Sequence, residues 1–408
     1  MSQEMDPQQI EALAQQLARQ FVSMRPQQSG NHSATTSHAG TLPSTNQNTA
    51  ETAPDSRSGD SMAELATQLG DLLSGRVGEP AQGTVSTLRV VDPYASVPDP
   101  SIYEKEFTDT FLRVNASVLR FEDTQLLDLA CEQMPIDRFY EEAEAMSNEY
   151  SDDSTDDIVV RRLLHWFKNE YFTWVNEPPC VNCQSKTVAI GGVAPTAQEM
   201  QDGAGVVETY RCTQSCTAIT RFPRYGGMSK ILFTTRRGRC GEWANCFTVC
   251  CRALGFKARF VHDTTDHVWT EVWSEHKKRW IHCDACEAAY DQPLLYTTGW
   301  GKSLSYCVAF SADEVVDVTR RYTIEYDTVV LKRRRSIREP VLAKFLHRLS
   351  ESNLISLSLD PAEMQVVRIR QALESEELSG ENEDTRAIET HDRESGSDEW
   401  TRARGERR

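Results

Sequence analysis

The apolar positions change their spacing part-way along the chain. Over 101–131, Phe107, Phe111, Val114, Val118 and Phe121 recur at helical intervals. Val159, Leu163, Trp166 and Phe167 mark the buried side of a second helix over 157–172. From residue 231 a helical pattern after Cys240 gives way to three strand-like runs, 257–262, 267–273 and 279–284. One helix followed by a run of strands predicts an α+β domain. Ahead of it, Ile10, Leu13, Leu17 and Phe21 share one face of a helix over 7–22, with Asp6 as cap and Pro7 in the first turn. Met62, Leu65, Leu69, Leu72 and Leu73 mark another short helix. Both read either as nascent structure in a disordered arm or as partner-docking helices. Between them, residues 26–60 are rich in Ser, Thr, Gln, Asn, Gly and Pro, and cannot offset their ordering entropy.

Composition narrows the partners. The 408 residues carry 44 basic and 61 acidic side chains, a net charge of −17. That balance argues against sequence-independent nucleic-acid binding and against anionic membrane surfaces. Residues 374–408 hold 12 acidic and 6 basic residues and read as a solvated tail. Lys332-Arg333-Arg334-Arg335 reads as an exposed face, with a nuclear-import signal as the alternative. No stretch approaches the roughly 18 apolar residues of a membrane span. The first residues lack the basic and apolar regions of a secretory signal. The 12 cysteines therefore read as reduced thiols.

Four of these cysteines fall into two short pairs. Cys180 and Cys183 are C-x2-C; Cys212 and Cys216 are C-x3-C, with a polar, glycine-containing insert between the pairs. Such spacing lets four thiolates close a tetrahedral cage around one zinc ion, leaving no open coordination position, so the ion would be structural. Cys131 and Cys307 read as core residues, and Cys246, Cys250 and Cys251 as buried thiols on the helix after Cys240.

Cys240 follows Gly238-Arg239 and opens a helix that Gly255 is placed to stop. A thiol at a helix start is favoured as thiolate by the unsatisfied N–H groups and the macrodipole. His267 begins the second strand-like run and Asp284 ends the third. Nucleophile, base and orienting carboxylate then stand in the order Cys, His, Asp, as in a papain-like thiol hydrolase. His262 and His282 compete with His267 for the base, and each of the three residues alone is more often structural.

The segments Gly238–Asn245, Asp266–Val272, His282–Glu287, Arg221–Tyr225 and Val315–Tyr322 resemble the cytoplasmic peptide:N-glycanase family of the transglutaminase-like superfamily. The match runs over roughly residues 100–345. The resemblance implies a transglutaminase-like (papain-like) core with a four-cysteine zinc subdomain and flanking helices. It implies removal of N-linked glycans from misfolded glycoproteins by hydrolysis of the Asn side-chain amide. Cys240, His267 and Asp284 would be catalytic, and Glu287 and Trp300 would contact the chitobiose core of the glycan. Trp243 and Trp269 are both candidate indole donors to the oxyanion.

The expected organisation is a largely disordered arm over 1–95 and a catalytic core over 96–345, with its zinc subdomain at 176–225. A helical segment follows over 346–373, then the acidic tail over 374–408. The second cysteine pair is wider than the family's usual spacing. No N-terminal ubiquitin-system adaptor and no C-terminal mannose-binding domain are recognised, so the chain resembles the compact version of the enzyme. The compact relatives bind a ubiquitin–proteasome shuttle factor; 101–131 and 341–373 are the candidate surfaces. The expected compartment is the cytoplasm, with the nucleus as a further one. The contrasting reading is an inactive scaffold of the same fold that binds ubiquitin–proteasome or DNA-repair partners. Retention of all three reactive residues and the acidic charge disfavour it.

Overall fold

The computed structural model describes residues 93–380. The helices expected at 7–22 and around 62–73, the segment 26–60 and the tail beyond 380 lie outside the described residues. The described chain forms two units, one of residues 94–359 and 374–380, the other including Pro93 and 360–373.

The larger unit begins with four helices: α1 (Ile102–Val118), α2 (Thr124–Gln133), α3 (Ile136–Met146) and α4 (Thr155–Trp166). The helical spacing over 101–131 is thus split in two. The Asp123 carboxylate accepts from the Leu126 N–H and caps a new helix there. Ser154 and Asp157 form a capping box at the start of α4. Val159, Leu163, Trp166 and Phe167 are buried as expected.

A three-stranded antiparallel ribbon follows: β2 (Thr187–Val193), β3 (Ala204–Cys212) and β4 (Ile219–Tyr225), with the short helix α5 (Ala197–Gln201) between β2 and β3. Two-residue strands β1 (Thr173–Trp174) and β5 (Arg237–Gly238) bracket the ribbon and pair in parallel. The short helix α6 (Ile231–Thr235) precedes β5, and helix α7 (Cys240–Ala253) follows it. Every residue of α7 from Glu242 to Cys251 is buried. Gly255 stops it with φ +85°.

The main sheet has strand order β11-β10-β6-β7-β8-β9, built from β6 (Ala258–Asp263), β7 (His267–Ser274), β8 (Arg279–Asp284), β9 (Ala289–Tyr290), β10 (Cys307–Phe310) and β11 (Val315–Asp317). All its ladders are antiparallel. Alternation along the strands separates two apolar clusters. Phe260, Val272, Ile281, Val308 and Phe310 pack with α7 residues such as Phe247 and with Phe111, Phe121 and Leu163 of the N-terminal helices. Val261, Trp269, Cys307 and Ala309 face the other way and pack with Leu295, Tyr296, Leu304, Val318 and Tyr322.

The C-terminal region differs from the reading of one helical segment followed by a tail. Helix α8 (Glu339–Leu357) ends where Ser358 turns left-handed at φ 51°, and helix α9 (Pro361–Ser379) starts afresh. Glu374, placed by composition in a solvated tail, is 2 % exposed. It pairs with Arg259 (2.9 Å, Nη1 to Oε2) and with Arg321 (2.7 Å), and Arg321 also meets Glu377 at 3.0 Å. Opposite charges distant in sequence hold these acids in; local composition carries no sign of that.

Candidate active site

Cys240 is the first residue of α7, and the helix start is shaped by its neighbours. Glu242 reaches back to accept the Arg239 N–H at 3.0 Å. A Cβ on Gly238 would collide with the Glu242 side chain, so a glycine four residues before Glu242 is a packing requirement. Arg224 binds Glu242 through two bonds of 2.9 Å and Glu208 at 2.7 Å. Arg239 donates to both Glu208 oxygens, the Tyr210 hydroxyl, and the Val175 and Asn176 carbonyls. Two arginines thereby fasten the ribbon to the start of α7.

His267 begins β7 opposite Asp263 of β6, after a turn in which Asp266 takes φ 75°. Asp284 ends β8. Both side chains are about 1 % exposed, and His267 Nε2 lies 2.8 Å from Asp284 Oδ2. Burial alone would lower the His267 pKa. Asp284 first, then the Cys240 sulfur, outweigh it and hold the imidazole up to about 9. Burial likewise opposes ionisation of Asp284, yet His267, His282 and the Tyr296 hydroxyl keep its carboxyl below the usual range. Thiol, imidazole and carboxylate thus meet in one place, with the proton held on the imidazole.

The competing histidines take other roles. His262 is depressed, chiefly by burial. His282 is pushed down to about 4, again chiefly by burial, and is neutral. Trp269 donates its indole N–H to the Tyr322 hydroxyl at 2.7 Å, which removes it from the two candidate oxyanion donors. Trp243 is 3 % exposed and meets Phe167 and Phe172 edge-on. Trp174, which the sequence reading did not single out, lies on β1 opposite Gly238, two residues before Cys240.

Trp300 is half-buried, with its ring 5.1 Å from the His267 ring and 5.1 Å from Tyr296, edge-on to both. Glu287 is buried on the turn after Asp284, its N–H bonded to the Asp284 carbonyl at 3.2 Å. Lys302 Nζ reaches Asp263 at 2.9 Å, so an ion pair joins the Trp300 loop to the hairpin that carries His267. No helix among the described residues is long and apolar enough to cross a membrane.

At the ribbon end, the sulfurs of Cys180, Cys183, Cys212 and Cys216 all lie within 4.8 Å of one another. Three of the separations are 3.4–3.5 Å. Tetrahedral thiolates at a metal–sulfur distance of about 2.3 Å would stand roughly 3.8 Å apart, so the donor set fits one metal ion. Thr217, just after the wider second pair, takes φ 48°. Cys307, Cys246, Cys250 and Cys251 are fully buried thiols, and the half-buried Cys131 donates to the Ala253 carbonyl at 3.4 Å.

Residues 191–285 match the transglutaminase-like superfamily, and residues 258–379 match the Rad4 transglutaminase-like domain. A Yarrowia lipolytica peptide-N(4)-(N-acetyl-beta-glucosaminyl)asparagine amidase is 40 % identical over 70 % of this chain and 80 % of its own length. The mouse protein of that name is 48 % identical over 62 % of this chain and 38 % of its own. The Arabidopsis thaliana one is 42 % identical over 71 % and 40 %. The chain therefore spans four fifths of the fungal relative and about two fifths of the mouse and plant ones. These identities and the family match place the chain in the peptide-N(4)-(N-acetyl-beta-glucosaminyl)asparagine amidase family of the transglutaminase-like superfamily.

Proposed function

We propose that the chain is an active peptide:N-glycanase, with Cys240 as nucleophile, His267 as acid and base, and Asp284 as the group that orients His267. The observation that carries this reading is the buried His267–Asp284 pair facing Cys240 at the start of α7. The Cys240 thiolate attacks the Asn side-chain carbonyl, forming a C–S bond while the carbonyl electron pair moves to oxygen. Collapse of that oxyanion breaks the C–N bond, and the His267 imidazolium protonates the departing glycosylamine. Neutral His267 then takes a proton from water, whose oxygen attacks the thioester and releases the thiolate. Asn becomes Asp.

Trp300, beside His267, offers an indole face to the sugar ring, and Glu287 is assigned a hydroxyl-binding role. The four cysteines hold one zinc ion, which supplies structure and leaves the reaction to the triad. The substrates are N-glycoproteins with high-mannose glycans, misfolded ones above all, handled during degradation of proteins from the endoplasmic reticulum. The compartment is the cytoplasm, with the nucleus as a further one. A shuttle factor of the ubiquitin–proteasome system docks on α1, where Ile102 and Tyr103 are 82 % and 91 % exposed.

The test is mass spectrometry of a denatured high-mannose glycoprotein after incubation with the chain and with Cys240→Ala. Loss of the whole glycan with a gain of about 1 Da at Asn, only with the unaltered chain, is the expected result. An unchanged glycoprotein under reducing, metal-replete conditions overturns the reading.

A further inference from the structure

The polar chain behind Asp284 runs further than the reaction requires. The Gln292 N–H points at His282 Nδ1 at 3.3 Å, so that nitrogen carries the lone pair and the proton sits on Nε2. His282 Nε2 is 2.7 Å from the Tyr296 hydroxyl and therefore donates to it. The hydroxyl hydrogen is then free to go to Asp284 Oδ2 at 2.9 Å. The depressed pKa of His282 agrees with a neutral ring. Asp284 Oδ2 receives His267 Nε2–H as well, and Oδ1 receives the Cys286 N–H at 2.8 Å. Every donor and acceptor in this chain has one assignment. The last ring nitrogen, His267 Nδ1, is left for Cys240.

Tyr296 also touches the groups that bear on substrate. It is fully buried, with ring centroids 5.2 Å from His267, 5.1 Å from Trp300 and 4.3 Å from Trp269. The charged and titratable groups around this cluster are few. Asp284 and Cys240 face His267; Asp284, Glu271 and Asp291 face His282; Tyr322 and Cys286 face Tyr296.

We propose that Tyr296 is a positioning residue for the amidase reaction: its hydroxyl, oriented by neutral His282, sets how strongly Asp284 holds the His267 proton, while its ring seats His267 and Trp300. This rests on the proposed roles of Cys240, His267 and Asp284. The hydroxyl shares the Asp284 charge. Without it the carboxylate binds the imidazolium proton more tightly, and less neutral His267 is present to activate water for deacylation. Tyr296→Phe keeps the ring and removes the hydroxyl, with its bond to Asp284 and the one it accepts from His282.

The experiment titrates the His267 imidazole by NMR in full-length protein labelled at histidine, assigned with His267→Gln, alongside steady-state kinetics. Loss of a hydrogen bond to a charged group predicts a rise of about one pH unit in His267 and a roughly tenfold fall in kcat at neutral pH. KM should stay within about twofold. His282→Leu should shift the titration in the same direction by less, and His282→Gln, which keeps a donor toward the hydroxyl, should stay near the parent. A His267 titration unmoved in both Tyr296→Phe and His282→Leu overturns the proposal, even if the variants melt at lower temperature. If the parent cleaves no glycan, the amidase reading fails, and the titration decides only whether Tyr296 sets the proton affinity of His267.

Discussion

The cysteine ribbon and the six-stranded sheet are held by different means. Behind the ribbon lies an apolar cluster of only Val175, Tyr210 and Phe222. Its outer side leaves Val188, Val206 and Ile219 40–50 % exposed. A structural zinc site can supply on the order of 10–16 kcal/mol of folding free energy, and the four cysteine sulfurs are placed to hold one ion. The sheet needs no such ion: it is covered by an apolar cluster on each face. Cooperative burial sustains one region, and the other carries a four-thiol donor set that one metal ion would close.

Metal removal is the largest way to break that contrast. Chelation, or Cys183→Ala, is expected to unfold the ribbon while leaving α7 and the sheet folded. Hydrogen exchange read by mass spectrometry should show peptides across 180–225 losing protection and peptides across 258–284 keeping it. Equal loss in both would mean that the ribbon and the sheet fold as one cooperative unit.

The reverse experiment targets the core. Phe247 of α7 is fully buried among Phe167 and the residues of the larger cluster. Phe247→Ala should cost about 3–5 kcal/mol by cavity formation, read as a lower denaturation midpoint in urea. Metal content should be unchanged at low denaturant. Lost metal there would show that the ribbon depends on the core for its shape as well as its anchorage.

Acid and alkali should separate the two regions more gently. The folded His267 pKa is raised from 6.5 to about 9, so the stability it contributes is full below about 6.5 and is lost as the pH rises through about 9. Asp284 is depressed below 3.8, so its contribution is present above that value and lost as the pH falls. Metal thiolates take up protons on the acid side. Thermal unfolding from pH 7 to 10 should therefore weaken the sheet with the metal still bound. Mild acid should release metal before Asp284 is protonated. Metal loss on the alkaline limb would contradict this division.

Legibility in sequence follows the range of the interaction. Strands β6 to β8 and helix α7 were readable because burial on a sheet face or a helix stripe repeats at a fixed short period. The cysteine pairs were readable because a knuckle is local. Cys240, His267 and Asp284 could be named because each falls at the end of such an element. Glu374 could not be placed, since the partners that bury it, Arg259 and Arg321, are more than fifty residues away. Tyr296 sits in a turn-rich stretch with no period, and only the fold brings it to Asp284. His282 was seen as a rival base, because sequence shows a histidine without showing which of its nitrogens has an acceptor. The break at Asp123 carried a local signal, an Asp ahead of a renewed helical pattern, that the apolar spacing across it concealed.

The smallest effect is expected at the seam between the two regions. Glu208 of β3 accepts from Arg224 and Arg239, and Arg239 also binds the Tyr210 hydroxyl of the same strand. Burial pushes the Glu208 carboxyl up, but Arg239, Tyr210 and Arg224 together hold it down at about 2. Glu208→Gln keeps the shape and removes the charge. Arg224 retains both bonds to Glu242, and Arg239 retains the Val175 and Asn176 carbonyls, so neither guanidinium is stranded. The partly exposed pair should therefore cost roughly 1 kcal/mol, seen as a melting temperature lower by a few degrees. Turnover should fall by no more than about threefold. A collapse of activity in this variant with metal still bound would give the seam a different part. The charge on Glu208, rather than the four-cysteine site at the far end of the ribbon, would then set the start of α7 and the position of Cys240.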